Sequence, residues 1–141
     1  MVALSSETLH ASCVALRGKA VLIEGRSGAG KSDLAVRLIG RGAQLVSDDY
    51  TLVRRDGTTL KAAAPDTISG KIEARGVGIF TLPALSDIPV ALVVELSGLV
   101  ERLPEPGLKR RIAGVDIPVV TLNGFEASAD VKIDLLLTQL P

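Results

Sequence analysis

The sequence predicts an α/β fold: a mixed β-sheet with flanking helices and one glycine-rich loop set between a strand and a helix. Three observations predict it. The apolar run Ala20-Val21-Leu22-Ile23 runs into Gly25-Arg26-Ser27-Gly28-Ala29-Gly30-Lys31-Ser32, and Leu34, Ala35, Leu38 and Ile39 then repeat at helical spacing. The octet reads G-x-x-x-x-G-K-S, the pattern of a phosphate-binding loop (P-loop). Tight-turn signals at Arg17-Gly18-Lys19, Asp56-Gly57 and Gly114-Val115-Asp116 join further strands into hairpins.

Taken in order, Leu9 to Leu16 reads as one strand, turning at Arg17-Gly18-Lys19 into the strand Ala20 to Glu24. A helix follows from Lys31 to Arg41, with Gly42 placed to cap it and Arg37 and Arg41 near its negative end. Ala43 to Ser47 is a short strand that ends on Asp48-Asp49. Tyr50 to Arg54 and Thr58 to Ala62 form a hairpin. Ala63 to Lys71 is a loop with room for one helical turn. Ile72 to Phe80 interleaves apolar residues with charge and glycine. Ile88 to Leu96, the most hydrophobic run, is the expected central strand, and Ser97 to Gly107 is irregular. Leu108 to Ala113 and Ile117 to Leu122 pair as a last hairpin. Ser128 to Leu140 is an amphipathic helix with Val131, Leu135 and Thr138 along one flank and Ile133, Leu136, Leu137 and Leu140 near it.

The 141 residues suffice for one domain spanning 1–141. Hydrophobic residues make up 47%, which excludes a disordered chain, whereas aromatics are only 2%, so the core must be built from Val, Leu, Ile and Ala. Lys+Arg and Asp+Glu balance at 16 each, which argues against nucleic acid or an anionic membrane as partner. Scarce aromatics also argue against a base-stacking platform for single strands. The single cysteine, Cys13, has no disulfide partner within the chain and is expected to be an inert core residue. Met1 to His10 has no secretory signal pattern, and there is no apolar run of about 18 residues, so a cytoplasmic protein is expected.

The chemistry is read from the polar groups around the loop. Glycines let successive N–H groups converge on an anion, and the helix start at Lys31 adds its positive end. Lys31 would reach the β- and γ-phosphates of a nucleotide, and the Ser32 hydroxyl would bind Mg²⁺. Asp48-Asp49 stands where a Walker-B carboxylate belongs, just past a strand end. Adjacent side chains there diverge, so one can hold the metal while the other faces an acceptor hydroxyl. The ordinary alternative is a solvated turn. His10, the only histidine, lies on the strand that the hairpin returns beside the loop, within reach of Asp49; a residue without a role is its plain alternative. Glu73 and Arg75 read either as a solvated strand edge or as a further metal carboxylate and a phosphate clamp. Tyr50, Phe80 and Phe125 are the only rings available to stack on a base.

Three segments carry a resemblance: Gly25 to Asp33, Leu45-Val46-Ser47-Asp48-Asp49, and Ile72-Glu73-Ala74-Arg75-Gly76-Val77-Gly78-Ile79. In this order they resemble the catalytic domain of HPr kinase/phosphorylase, whose motifs read G-x-S-G-x-G-K-S-E, L-V-A-D-D and I-E-x-R-G-L-G-I. A histidine precedes that family's loop at the spacing His10 has here. The resemblance covers roughly residues 9–122. It implies a fold related to phosphoenolpyruvate carboxykinase and an ATP-dependent, Mg²⁺-dependent kinase acting on a serine of the phosphocarrier HPr or an HPr-like carrier. It also implies removal of that phosphate by phosphorolysis, yielding pyrophosphate. By position, Gly25, Arg26, Ser27, Gly28, Ala29, Gly30, Lys31 and Ser32 would cradle the nucleotide phosphates. Asp49 would be general base towards the serine and general acid in reverse, assisted by His10. Ser32, Asp48 and Glu73 would form the metal shell, and Lys31 and Arg75 would stabilise the transferring phosphoryl group.

The chain departs from the family pattern in three ways. It reads as a short form without the family's separate N-terminal domain. The segment after Phe80 is shorter and lacks a Gly-Ala-Gly-Ala stretch. Where the family shows P-V-R-P-G-R-N, this chain has Pro118-Val119-Val120-Thr121-Leu122-Asn123-Gly124 without the arginines, which are candidate phosphate and partner contacts. Those arginines bear on phosphorolysis and on the family's homo-oligomer, a hexamer. Two other readings stand beside the HPr kinase: a kinase of the same descent with another acceptor, and a nucleotide-binding regulatory module without transfer.

Overall fold

The run Ile88–Leu96 (β9) forms a nine-residue strand with the bounds its hydrophobicity predicts, and it has neighbours along both edges. The computed structural model describes residues 5–141; residues 1–4, the start of the segment that lacks a signal pattern, lie outside the described residues. In chain order the other elements are β1 (Ser6–Leu9), β2 (Ala11–Leu16), β3 (Lys19–Glu24), α1 (Lys31–Gly40), β4 (Gln44–Ser47), β5 (Thr51–Asp56), β6 (Thr59–Ala63), β7 (Lys71–Ala74), β8 (Gly78–Thr81), β10 (Lys109–Ile112), β11 (Val115–Leu122) and α2 (Ala129–Gln139). A single 3₁₀ turn, Asp66–Ile68, sits in the loop before β7. Among the described residues nine strands make one curled mixed sheet in the order β1-β5-β6-β9-β3-β2-β4, with β11 also on β9 and β10 on β11; β7 and β8 form a separate ribbon.

One edge of β9 runs parallel to β3, from Ala20↔Val90 to Glu24↔Glu95. Its other edge is shared: β6 pairs antiparallel at Pro89 and Ile88, and β11 pairs parallel from Val93 to Leu96. β3, β9 and β11 therefore end on the same side of the sheet. Both faces of the centre are buried. Val21, Ile23, Leu92 and Val94 pack under Leu34 and Leu38 of α1 and Ile133 and Leu137 of α2. Leu22 and Val93 pack on the opposite face against Val53, Leu60, Ile112 and Ile117, where the sheet curls over itself. Burial on both faces is why β3 and β9 read as continuous apolar runs and not as alternation. The buried core contains no aromatic ring among the described residues, as composition requires. Cys13 is fully buried, and burial pushes its thiol well above the ordinary range, which keeps it inert.

Local chemistry explains where the elements begin and end. The expected single strand Leu9–Leu16 is two strands broken at His10: β1 pairs with β5, whereas β2 pairs with β3 and β4. The chain changes neighbours there, which leaves His10 at a corner. The Arg17-Gly18 turn has positive φ at both residues (57° and 74°), the type I′ pattern that suits twisted hairpins. The β5–β6 turn is Gly57-Thr58, one residue later than expected, with positive φ at Gly57 alone, as in a type II′ turn. The β10–β11 turn is Ala113-Gly114, also with positive φ at both residues, and not Gly114-Val115-Asp116. Glu7 holds that turn by accepting from the Ala113 N–H at 2.8 Å. α1 ends as expected: Gly42 (φ 105°) donates to Ile39 O and Ala43 N to Leu38 O, the paired bonds of a Schellman cap.

α2 is the expected terminal helix, and of its two apolar flanks the one with Ile133 and Leu137 faces inward. Ala129, Ile133 and Leu137 are buried, whereas Val131 and Leu135 are exposed. Ala129, Ile133 and Leu137 recur at helical spacing and, with Leu136 and Leu140, face the core. Ion pairs tie the helix down beside that face: Asp134 meets Arg17 at 2.8 Å and Arg41 at 3.2 Å, and Asp130 meets Arg41 at 3.7 Å. The hydrogen bond from Arg17, then that from Arg41, holds the Asp134 carboxyl below the usual carboxylate range. No helix among the described residues is long and apolar enough to cross a membrane.

Candidate active site

The loop that follows β3 has the backbone its glycines predict. Gly28 and Gly30 take φ of 84° and 94°, closed to most side chains, and Ala29 N donates to Arg26 O at 2.9 Å. A Cβ at Gly25 would stand 3.0 Å from Ala29 Cβ and 3.1 Å from Leu96 Cβ, so the strand end and the loop approach each other through a bare Cα. Gly30 is the left-handed N-cap of α1, whose free N–H groups and positive dipole end face the loop. Lys31 lies 7% exposed with its ammonium donating to Gly25 O at 2.8 Å and Arg26 O at 3.1 Å, so its charge is held at the loop's mouth. Gly25, Arg26, Ser27, Gly28, Ala29, Gly30, Lys31 and Ser32 thus form one tight turn from β3 into α1, closed by the Lys31 ammonium.

The two carboxylates after β4 diverge. Asp48, 8% exposed, accepts from three donors: Ser32 Oγ at 2.7 Å, Ser12 Oγ at 2.8 Å and the Glu73 N–H at 3.1 Å. Asp49 turns the other way and meets His10 Nε2 at 2.9 Å. The divergence comes from the backbone. Tyr50 N donates to Asp48 O at 2.8 Å across Asp49, whose φ is 67°. A three-residue turn with positive φ at its centre is the rare, strained γ-turn, a cost that functional corners tolerate. Ser47 Oγ on Tyr50 O, Ser12 Oγ accepting from Asp49 N at 3.1 Å, and Thr51 Oγ1 on Ala11 O at 2.8 Å all brace it. Tyr50 stacks on the His10 ring with centroids 4.9 Å apart.

Glu73 and Arg75 are placed differently. Ile72 of β7 is buried against α1, so the alternation of the strand turns Glu73 outward. The Glu73 main chain, and not its carboxylate, meets Asp48. Arg75 sits in the β7–β8 turn, where Gly76 (φ 84°) and the Val77 N to Ala74 O bond at 2.9 Å fit a type II turn. Among the described residues Arg75 is exposed and makes no ion pair. No group of three or more His, Cys, Asp or Glu among the described residues is arranged for a metal. Ser32 and Asp48 nonetheless bring a hydroxyl and a carboxylate oxygen together beside the phosphate turn, the donor type that Mg²⁺ takes alongside substrate phosphates and waters.

Three residues of this site are not singled out by motif reading. Ser12 links Asp48 to Asp49; its signal is a lone hydroxyl in the buried strand Ala11-Ser12-Cys13-Val14. Arg37, on the far side of α1, donates to the carbonyls of Gly124 and Glu126 and ties the segment after β11 to the loop's helix. Phe125, weighed only as one of three possible rings, stands against Gly30.

Comparison with known proteins places the chain in a family. Residues 2–129 match the family model described as HPr Serine kinase C-terminal domain. The HPr kinase/phosphorylase of Chlorobium luteolum is 39% identical over 130 residues, covering 82% of this chain and 39% of that protein. The one from Alkaliphilus metalliredigens is 36% identical over 128 residues, covering 82% and 41%. The chain thus spans about two fifths of the length of these curated relatives. The solved Hpr(Ser) kinase/phosphatase from Coxiella burnetii superposes with a TM-score of 0.81 at 26% identity, covering 94% of this chain and 95% of that one. Phosphate turn, paired carboxylates, histidine partner and family match converge: the chain belongs to the HPr serine kinase C-terminal domain family.

Proposed function

We propose that this protein is an ATP-dependent serine kinase of the cytoplasm that phosphorylates HPr or an HPr-like phosphocarrier. One observation carries the reading. Consecutive carboxylates at a strand end are split between a P-loop hydroxyl and a histidine, Asp48 on Ser32 and Asp49 on His10. A protein that merely binds nucleotide has no use for the second pair. The names of the relatives, and the match to the Coxiella burnetii protein along nearly its whole length, support a kinase with HPr as acceptor.

Bound ATP would supply the phosphoryl group, and Mg²⁺ would offset the negative charge of its phosphates. Ser32 and Asp48 would hold the metal, with Glu73 contributing from the edge of the shell. Lys31 neutralises charge at the loop mouth, and Arg75 approaches the transferring group from the β7–β8 turn. Asp49 accepts the proton of the serine hydroxyl as its oxygen attacks phosphorus; ADP leaves and phosphoserine forms. His10 orients the Asp49 carboxylate through its 2.9 Å contact and stabilises the carboxylate when its Nε2 bears the proton. In the phosphorolytic direction the same carboxyl returns the proton to serine while inorganic phosphate takes the phosphoryl group to give pyrophosphate.

The test is phosphoryl transfer from labelled ATP to purified HPr, run with wild type, Asp49→Asn and Lys31→Ala. Wild type labels HPr; Asp49→Asn binds nucleotide without transfer; Lys31→Ala is impaired in both. Normal transfer by Asp49→Asn removes Asp49 as base. Nucleotide binding by wild type with no transfer to HPr points to another acceptor or to a regulatory module.

A further inference from the structure

On the far side of the loop from Asp48, a cavity of about 590 Å³ opens among Arg26, Ser27, Ser97, Gly98, Asn123 and Phe125. We propose that this cavity takes the nucleoside of ATP, with the base stacked on Phe125 and the phosphates running through the loop towards Asp48. The inference deepens the kinase reading and rests on it.

Four observations carry it. The cavity lies at the carboxyl ends of β3, β9 and β11, three mutually parallel neighbours, where ligands of open α/β sheets collect. It is on the β9 side of β3, whereas Asp48 and His10 are on the β2 side, so the loop lies between a cavity and a reacting corner. Apart from Arg26, the described residues lining it are uncharged, with the Ser27, Ser97 and Asn123 side chains as hydrogen-bonding groups for a sugar and base. Phe125 is 71% exposed in a protein whose core excludes aromatics, yet it is not loose. Its ring lies 3.3 Å from where a Cβ at Gly30 would stand, its N–H donates to Asn123 Oδ1 at 3.0 Å, and Arg37 grips the carbonyls on either side of it. Gly124 has no room for a side chain, with Ala29 O and Leu96 Cδ1 each 3.0 Å from its would-be Cβ. A rigid, solvent-facing ring braced on a phosphate loop is a stacking surface prepared before the base arrives, and preorganisation of this kind favours binding.

Equilibrium binding separates the nucleoside from the phosphates. With ATP and inorganic tripolyphosphate as paired ligands in Mg²⁺, titration calorimetry of Phe125→Ala is expected to show roughly ten-fold weaker ATP binding and unchanged tripolyphosphate binding, the loss of one base–aromatic stack. The chain has no tryptophan, so Phe125→Trp installs a lone reporter that keeps the stack; its emission should change with ATP and stay constant with tripolyphosphate. Equal ATP affinity in wild type and Phe125→Ala overturns the subsite and leaves the kinase reading standing. An emission change of the same size with both ligands also overturns it. Wild type that binds neither ligand removes the kinase reading and this inference together.

Discussion

The corner at Asp48-Asp49 and the ribbon β7–β8 both carry motif residues, and they are built in opposite ways. At the corner, Asp48 accepts from three donors and is nearly buried, and Asp49 is fixed by a braced turn and by His10. The ribbon is anchored by buried Ile72 and by one main-chain bond from Glu73, while the side chains of Glu73 and Arg75, with Val77 and Ile79, face solvent. A carboxylate that holds a metal or removes a proton must be placed before substrate arrives, which a hydrogen-bond network in low dielectric achieves. A guanidinium that meets a phosphoryl group shared between two proteins must stay accessible. Mutations at the corner should therefore separate chemistry from binding, and those on the ribbon should separate stability from chemistry according to which way the residue faces.

The largest effect is expected at the corner. Asp49→Asn should lower the rate of transfer to HPr by about 10²–10⁴-fold, the usual worth of a positioned base, with nucleotide affinity and melting temperature nearly unchanged; a large drop in melting temperature would make Asp49 a structural residue. Ile72→Ala comes next. It should cost about 2–5 kcal/mol in denaturant unfolding, because it empties the contact between the ribbon and α1; a cost near zero would mean that the ribbon is held by its other ties, the Glu73 N–H on Asp48 and Leu82 and Ala84 against the core. Ser12→Ala should cost about 1–3 kcal/mol by removing one of the two donors to Asp48 Oδ1 and stranding the Asp49 N–H, measured by thermal unfolding, with a fall in transfer rate as the γ-turn loosens. Arg75→Ala should leave stability unchanged and slow transfer about ten-fold if it clamps the phosphoryl group; equal transfer by wild type and variant would return Arg75 to the solvated edge.

The same contrast explains what was legible in the sequence. β9, α1 with its Gly42 cap and the P-loop follow from short-range rules, hydrophobic run and glycine placement. The divergence of Asp48 from Asp49, expected of neighbours at a strand end, is set by the positive φ of Asp49. The His10–Asp49 contact was legible because a two-residue hairpin fixes which strand lies beside the loop. Ser12 escaped because one serine in a buried strand carries no periodic signal, and its value depends on Asp48 arriving from β4. Turns slipped by a residue at Gly57-Thr58 and Ala113-Gly114 because the turn type, and not the dipeptide alone, sets the register. The sequence shows two apolar flanks on α2 and does not rank them, because Val131 and Leu135 are as apolar as Ile133 and Leu137; the residues that seat the helix, Arg17 and Arg41, are remote in sequence. Phe125 could not be placed because its position depends on β11 ending beside Gly30.

The walls of the phosphate turn also have a consequence for synthesis. Gly25 to Ser32 is contiguous, but its shape depends on Leu96 against Gly25 and on Gly124 against Ala29, residues joined through the parallel pairing of β3, β9 and β11. Parallel neighbours require long connections, and such distant contacts form late. The chain leaving the ribosome therefore presents the loop long before it presents a nucleotide site. Ligand can stabilise the fold only after the segment around Gly124 has been released and has closed over the loop.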